Sequence, residues 1–424
     1  MPTSAPPPPD SDYQFHVLSF EGPDPYATVG DLGTRVEGLT ETLAAQDYNT
    51  HLWFVGDPEA SSHENRHGVE LHRWCQWISA HHPHGVYDGE LGKCNDYAAS
   101  LPPYMLEATL LPHLRAGGRA TVLAEEWQTA AALLHLDWLL RKADMRSQVT
   151  LAWNANSTYG FGLVDWSRLK SAATITTVSR YMKHLMRPYG VTPTIIPNGL
   201  TADAYLPPEP AGTQVIKHNL HSQGRLVLAK LGRFVPDKRW VESIRLMAQL
   251  KRLGWQPLMI ARGGQEVLGR QIMQEAARLG LTVAQVHAPE SIAGLMQITS
   301  DLANVDILEL TTPLNAACRR ALFKAADVVL ANSAHEPFGF TGLEAMASGA
   351  LTATGNTGED YAIHGHNALV LQTGDPEEFL QQYAPLRANQ DEALALRSAG
   401  EATARRYQWL DILHQRLLPR LSWA

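Results

Sequence analysis

The feature that most constrains this chain is an alternation, run through twice, of short Val/Leu-rich segments with longer amphipathic ones. Segments 15–20, 50–55, 120–124, 150–153, 174–178 and 194–196 are short and apolar, and stretches with helical spacing at 32–45, 129–140 and 180–186 fall between them. Pro207, Pro208, Glu209, Pro210 and Gly212 interrupt the pattern, which then restarts. Strands are expected at 226–231, 257–261, 306–310, 328–331 and 350–353, with helices at 239–253, 318–325 and 341–347. Unbroken apolar strands separated by amphipathic helices specify a parallel sheet covered on both faces. The expectation is therefore an α/β chain of two Rossmann-like domains whose parallel sheets face each other across an interdomain cleft, with ligands at the C-terminal strand ends. The expected divisions are a disordered Pro-rich tail at 1–12, a first domain at 13–206, a linker at 207–223 and a second domain at 224–400. A final helix at 401–424 is able to cross back to the first domain.

Composition closes off several function classes. Hydrophobic residues make up 45% and charged residues 18% of the 424, as in an ordinary folded protein. The 35 Lys and Arg are outnumbered by 43 Asp and Glu, so no global positive field gathers nucleic acid or anionic lipid. Cys75, Cys94 and Cys318 form no close pair, which argues against a disulfide framework or a Cys-based zinc site and fits a reducing cytoplasm. No run approaches the length of a membrane span, and the first residues have neither the basic nor the apolar region of a signal peptide.

The segment richest in chemistry runs from His335 to Gly349. Glu336 and Glu344 lie eight residues apart across a turn that opens a helix, with Phe338, Gly339, Phe340, Thr341 and Gly342 between them. The amides at such a helix start have no acceptor within the helix and favour a phosphate or pyrophosphate. Glu344, one turn in, is suited to accept hydrogen bonds from vicinal hydroxyls such as a ribose diol. The plainer alternative has Glu344 interacting with the helix dipole and Glu336 solvated, and composition alone does not separate the two. Arg233 and Lys238, five residues apart on the loop after the 226–231 strand, are spaced to straddle a diphosphate. Gly30, Asp31 and Gly33 sit where a turn opens the first long helix, and small residues there permit close approach to a diphosphate or an acceptor.

The run from Glu336 to Glu344, with Ala326-Asp327-Val328 before it and Ala345 to Gly349 and Thr357-Gly358-Glu359 after it, resembles the Glu-x7-Glu signature of retaining glycosyltransferases. These are two-domain proteins of the GT-B architecture and family 4 type, the superfamily of glycogen and sucrose synthases. The resemblance implies transfer of a hexosyl group, glucosyl foremost, from a nucleoside diphosphate sugar, UDP favoured, to an acceptor hydroxyl. It gives Glu336 the donor-sugar hydroxyls, Glu344 the ribose, and the Phe338 to Gly342 backbone the diphosphate. Arg233 and Lys238 become the pair that neutralises the leaving nucleoside diphosphate, and Gly263, in Ala261-Arg262-Gly263-Gly264, belongs to a turn below the nucleotide. In the first half, Gly30 to Gly33, Glu126 to Ala130 and Asn154 to Gly160 are similar to segments of glycogen and starch synthases. This places Gly33 on the donor side and Asp31, Trp153 and Asn154 on the acceptor side. Thr28, Asp31, Thr34 and Trp153 replace that group's lysine, glycine, aspartate and histidine, which puts glycogen synthesis itself in doubt. No metal and no cofactor beyond the nucleotide sugar are implied, and the oligomeric state is left open.

Other motifs fit less well. His63-Glu64-Asn65-Arg66-His67 spells a zinc-protease helix but lacks the long amphipathic helix that chemistry needs, and His81-His82-Pro83-His84 reads as a wet loop. Glu21-Gly22-Pro23-Asp24-Pro25 stands where a dinucleotide fingerprint would follow the first strand, and Gly264 to Gly269 lacks the Lys-Ser/Thr of a P-loop. Competing classes are a sugar-binding or regulatory protein of the same fold that has lost turnover, and a sugar phosphorylase or nucleotide-sugar epimerase.

Overall fold

The computed structural model describes residues 13–264 and 266–421, so the expected tail at 1–12 lies outside the described residues. The chain forms two compact units, one running to Thr201 and resumed from Tyr407, the other spanning Ala202–Arg406.

The first unit is built on eight strands: β1 (Tyr13–Leu18), β2 (Asn49–Val55), β3 (His63–Arg66), β4 (Val69–Trp74), β5 (Arg119–Glu125), β6 (Val149–Ala155), β7 (Thr174–Thr177) and β8 (Thr194–Ile195). Their order is β3-β4-β2-β1-β5-β6-β7-β8. All neighbours are parallel except β3 and β4, an antiparallel pair at one edge. The His63 to His67 segment is thus a strand leading into a turn, where His67 has φ +52°. Glu64 is engaged by Arg66 and Arg73.

The second unit holds seven parallel strands: β9 (Leu226–Leu231), β10 (Pro257–Arg262), β11 (Val283–Val286), β12 (Ile307–Leu310), β13 (Val328–Ala331), β14 (Thr352–Thr354) and β15 (Leu369–Val370), in the order β11-β12-β10-β9-β13-β14-β15. Apolar side chains on its two faces feed two cores. One contains Leu228, Ile244, Met247 and Leu250, so the expected stripe of the helix Trp240–Arg252 is buried; the other contains Val227, Leu258, Leu322 and Val329.

Two expectations are corrected. The linker at 207–223 contains the helix Pro210–Leu220, capped by Glu209, whose carboxylate accepts from the amide of Ala211 at 3.0 Å, with Ile216 and Leu220 fully buried. Pro210 occupies the first helical position, where its missing N–H costs nothing, so the proline cluster marks a helix start instead of a break. The first long helix runs Asp31–Ala45, so Gly33, expected in the turn that opens it, lies within it.

From Tyr407 the chain rejoins the first unit through backbone bonds from Leu200 to Tyr407 (2.7 Å) and from Trp409 to Leu200 (3.1 Å). Trp409 is 2% exposed and packs where Gly38 and Gly199 leave room. A Cβ on either glycine would stand 2.4 Å or 2.6 Å from the indole. Trp409→Ala is expected to lower stability by about 3–5 kcal/mol in a denaturant titration, the usual cost of removing a buried large aromatic.

On the opposite face of the first sheet His16, His51, Trp53 and His72 stack across β1, β2 and β4. His16 pairs with His51 and Trp53 with His72 in register, and ring centroids lie 4.5 Å and 3.7 Å apart. The Trp53 indole donates to Nδ1 of His16 at 3.2 Å, so that nitrogen carries no proton. Burial, reinforced by neighbouring histidines, holds His16 well below its ordinary pKa and brings His72 down to about 3; burial likewise brings His51 to about 4. The unfolded chain binds protons below about pH 6.5 that the folded one refuses, so stability is lost as pH falls from there. Each group contributes a slope of up to about 1.4 kcal/mol per pH unit. The midpoint for unfolding is expected to drop between about pH 6.5 and pH 4, less steeply in His72→Phe; equal slopes would dismiss the stack as the cause.

Candidate functional site

In each sheet the strand order reverses once, between β1 and β5 in the first unit and between β9 and β13 in the second, and ligands of such sheets bind beyond the strand ends at that point.

In the second unit Gly232 follows β9, and its φ of +148° turns the chain into the 233–239 loop. The Trp240 indole donates to the Arg233 carbonyl at 2.8 Å, and the Ala334 amide donates to the Asp237 carbonyl at 2.7 Å. The second bond ties the loop after β9 to the loop after β13. Across that junction the Lys238 ammonium meets the Glu336 carboxylate, which also accepts from Ser333 Oγ at 2.9 Å and is 4% exposed. The Glu336 amide donates to Thr357 Oγ1 at 2.9 Å, which holds the residue's backbone while Lys238 and Ser333 hold its carboxylate.

Gly339, at φ +90°, caps the helix Phe340–Ala347. A side chain there would meet Glu359 at 2.8 Å and the Tyr361 hydroxyl at 2.9 Å, and the same hydroxyl donates to the Gly339 carbonyl at 2.6 Å. Phe338 and Phe340 are buried, with ring centroids 5.3 Å apart, so they anchor the turn and leave its backbone to present amides. Lys238, Ser333, Glu336, Gly339, Thr341 and Gly342 line one small pocket. The structure thus brings together Lys238, Glu336 and the amides that open a helix, the positive end of its dipole.

Three expected residues stand apart from this pocket. Arg233 is exposed on the same loop, outside the lining. Gly263 lies under the Phe234 ring, where a Cβ would come within 1.8 Å of it, so its glycine is required by packing. Glu344 accepts from Arg319 at 3.0 Å, and burial raises its pKa against the pull of that guanidinium.

Two residues without an assigned role in the sequence belong to the site. Lys230, in the last turn of the apolar run of β9, is 3% exposed, lines the pocket and donates to Asn332 Oδ1 at 2.8 Å. Burial, with the charge of Lys238, pushes it down to about 7. Its signal was a lysine inside an otherwise apolar strand. Glu359, 5% exposed, is pushed up to about 7 by burial and by Glu336. Larger space of about 570 Å³ exists beside Glu266, Arg270, Gln285 and Glu309, away from the charged cluster.

The first unit's reversal point gathers carboxylates that its own chain satisfies. Glu21 Oε2 accepts from the amides of Val29 (3.1 Å), Gly30 (3.0 Å) and Gly33 (3.0 Å), while Oε1 accepts from the Tyr87 hydroxyl at 2.6 Å. Gly33, expected on the donor side for the close approach a small residue permits, is the third residue of the helix with an orphan N–H, and Glu21 takes it. Glu125 is bound by Arg35 at 3.0 Å and by Asn154 and Asn156 at 2.9 Å and 2.7 Å, which gives Asn154, fully buried, a positioning role. Glu126 sits in the left-handed region at φ +66°, accepts from the Ser157 amide at 2.8 Å, and is raised to about 7 by burial and by Glu125. Trp153 is fully buried, its indole donating to the Glu126 carbonyl at 2.9 Å, so the expectation that it faces an acceptor is also corrected. Asp31 remains exposed at the helix start.

The family described as glycosyl transferases group 1 matches residues 262–389. D-inositol 3-phosphate glycosyltransferase of Corynebacterium urealyticum is 33% identical over 91 residues, 21% of this chain, and that match spans only 22% of the relative's length. Among solved structures, sucrose-phosphate synthase of Thermosynechococcus elongatus has a TM-score of 0.63 at 19% identity, covering 94% of this chain and 96% of that one. HepE of Anabaena in complex with UDP-glucose has 0.64 at 16%, covering 96% and 99%. The catalytic domain of starch synthase IV from Arabidopsis thaliana, bound to ADP and acarbose, has 0.65 at 15%, covering 97% and 99%. At these identities the structures speak to the fold, which is that of the GT-B glycosyltransferases. Residues 262–389, which contain Glu336, the amides of the 340–347 helix and Glu344, thus match the group 1 glycosyl transferase family within a chain of the GT-B fold.

Proposed function

We propose that the chain moves a hexosyl group, glucosyl in the first instance, from a nucleoside diphosphate sugar, UDP favoured, to an acceptor hydroxyl with retention at the anomeric carbon. The observation that carries this reading is the Lys238–Glu336 pair set against the amides that open the helix Phe340–Ala347, at the reversal point of the second sheet. Relatives named for UDP-glucose and ADP complexes share the fold and support a nucleoside diphosphate as the leaving group.

In this reading the bond from the anomeric carbon to the diphosphate oxygen breaks as the acceptor oxygen attacks from the same face. The acceptor's proton passes to the departing phosphoryl oxygen. Negative charge growing on the diphosphate is met by Lys238, by Arg233 from the same loop, and by amides already oriented before reaction. Glu336 receives donor-sugar hydroxyls, and Glu344, oriented by Arg319, receives the ribose. Side chains and amides balance the leaving charge, so turnover is expected to persist in the presence of a chelator.

A non-catalytic sugar binder of the same fold is the second reading, favoured by the first unit, where Glu21 fills the amide turn and Trp153 is buried. Release of UDP from UDP-glucose, with water or a sugar acceptor, separates the two: a binder shifts its melting temperature with UDP but releases none. Lys238→Ala is expected to lower kcat by about 10²–10³-fold, the usual effect of losing one transition-state donor, while circular dichroism stays unchanged. Unchanged turnover would remove Lys238 from the leaving-group site. UDP at about 100 times its Kd should add about 2.7 kcal/mol of stability to the wild type.

A further inference from the structure

The pocket at the β9/β13 reversal holds two ammonium groups, and its ionised carboxylate is already engaged by one of them. Glu336 is bound by Lys238 and Ser333. Lys230, almost wholly buried, has the neutral Asn332 side chain as its hydrogen-bond acceptor and lies 5.2 Å from the Trp240 ring centroid. Among the described residues no carboxylate lies within ion-pair distance of it. A buried ammonium without a counter-charge is costly, and the group's cheapest response is to give up its proton. An anion entering the pocket removes the reason to do so.

We propose that Lys230 is a third, switchable cation of this site, holding its proton weakly while the pocket is empty and firmly when a diphosphate-bearing ligand occupies it, so that binding draws a proton from solution. The inference rests on the nucleoside diphosphate reading of the pocket. The charged groups around Lys230 are Lys238 and Arg239 from the loop after β9, Glu242 from the first turn of the following helix, and Glu336 from the loop after β13. Glu359, from the loop after β14, faces Glu336. The two cations oppose a charge on Lys230, the two nearer carboxylates favour it, and burial outweighs both, leaving the group poised near pH 7. A diphosphate lining the same wall tips that balance. The expected consequence is an affinity for diphosphates that weakens as pH rises above neutrality, by up to about tenfold per pH unit.

The test is isothermal titration calorimetry of the full chain with UDP at about pH 8, where the terminal phosphate is fully ionised, in two buffers of different ionisation enthalpy. The wild type is expected to take up more than about half a proton per UDP bound, and Lys230→Met to lose most of that uptake, leaving the share of Glu359. Lys230→Arg, which stays charged, should bind UDP with the same small uptake as the methionine variant. The wild-type count needs no variant to fold. UDP binding without proton uptake, or with equal uptake in wild type and Lys230→Met, overturns the inference and leaves the diphosphate reading intact. No binding of UDP, ADP or GDP by calorimetry or melting temperature overturns both.

Discussion

The ion pair between Lys238 and Glu336 joins the loop after β9 to the loop after β13, and the second unit's site is arranged around holding it. Neither loop is part of a sheet ladder at that point, so their separation is set by this pair and by the backbone bond from Ala334 to Asp237. The Glu336 carbonyl in turn accepts from the Gly358 amide at 2.8 Å, which draws the loop after β14 into the same cluster. A glycine is required there, because a Cβ on Gly358 would fall 2.2 Å from the carbonyls of Glu336 and Pro337. Buried ion pairs contribute little net stability but are expensive to break, so this one fixes geometry more than it adds free energy. Its effect is to aim the start of the helix Phe340–Ala347 at the space beside Lys238.

The two units share a topology and use their reversal points in opposite ways. In the first, the amides of Val29, Gly30 and Gly33 converge on one point, as they would for a phosphate, but Glu21 supplies the anion. Glu125 and Glu126 add further carboxylates, all bonded to their own chain, and Glu126 is kept in a left-handed conformation that costs about 1–3 kcal/mol. Such an edge repels a diphosphate. In the second, cations and open amides prevail and one buried carboxylate is shared. The features that favour an anion are therefore gathered in the second unit, while in the first Tyr87 and Glu90 are themselves held in hydrogen bonds with Glu21 and Gln128.

Most of the architecture is legible in the sequence because βα alternation is a periodic signal. The strands at 226–231 and 328–331 and the apolar stripe of the Trp240–Arg252 helix fall where periodicity puts them. What escaped it has specific causes. The edge strand β3 is wholly polar and its neighbour β4 alternates buried and half-buried residues, and β11 and β15 are short. The proline cluster near 207 carries two meanings, break and first helical residue, and only Glu209 as a cap decides between them. In the site, Glu336 and the turn that follows it lie within a recognisable motif, and Lys238 lies on a second short motif 98 positions earlier. The partners that set their chemistry are remote: Lys230 is 106 positions from Glu336, and Glu21 reaches Gly33 only because the turn folds back on the strand. Gly263 and Trp153 show the reverse, residues whose motif suggests a ligand and whose surroundings are packed.

Two groups near Glu336 titrate close to neutrality from opposite directions, and their stability effects have opposite signs. Glu359 keeps its proton in the folded chain up to about pH 7 while the unfolded chain releases it near the ordinary carboxylate value, so its burial costs stability increasingly as pH rises through that window. Lys230 loses its proton in the folded chain above about pH 7 while the unfolded chain retains it, so its burial costs stability increasingly as pH falls toward 7. The two penalties overlap at neutral pH, where the empty site is least comfortable. Lowering the pH through 7 adds a positive charge at Lys230 and removes a negative one at Glu359, and both changes make the pocket more attractive to an anion. A diphosphate acts on the same two groups in the same sense, since its charge favours the protonated form of each. The discomfort of the empty site is thus relieved by the class of ligand that the helix-opening amides are oriented to receive.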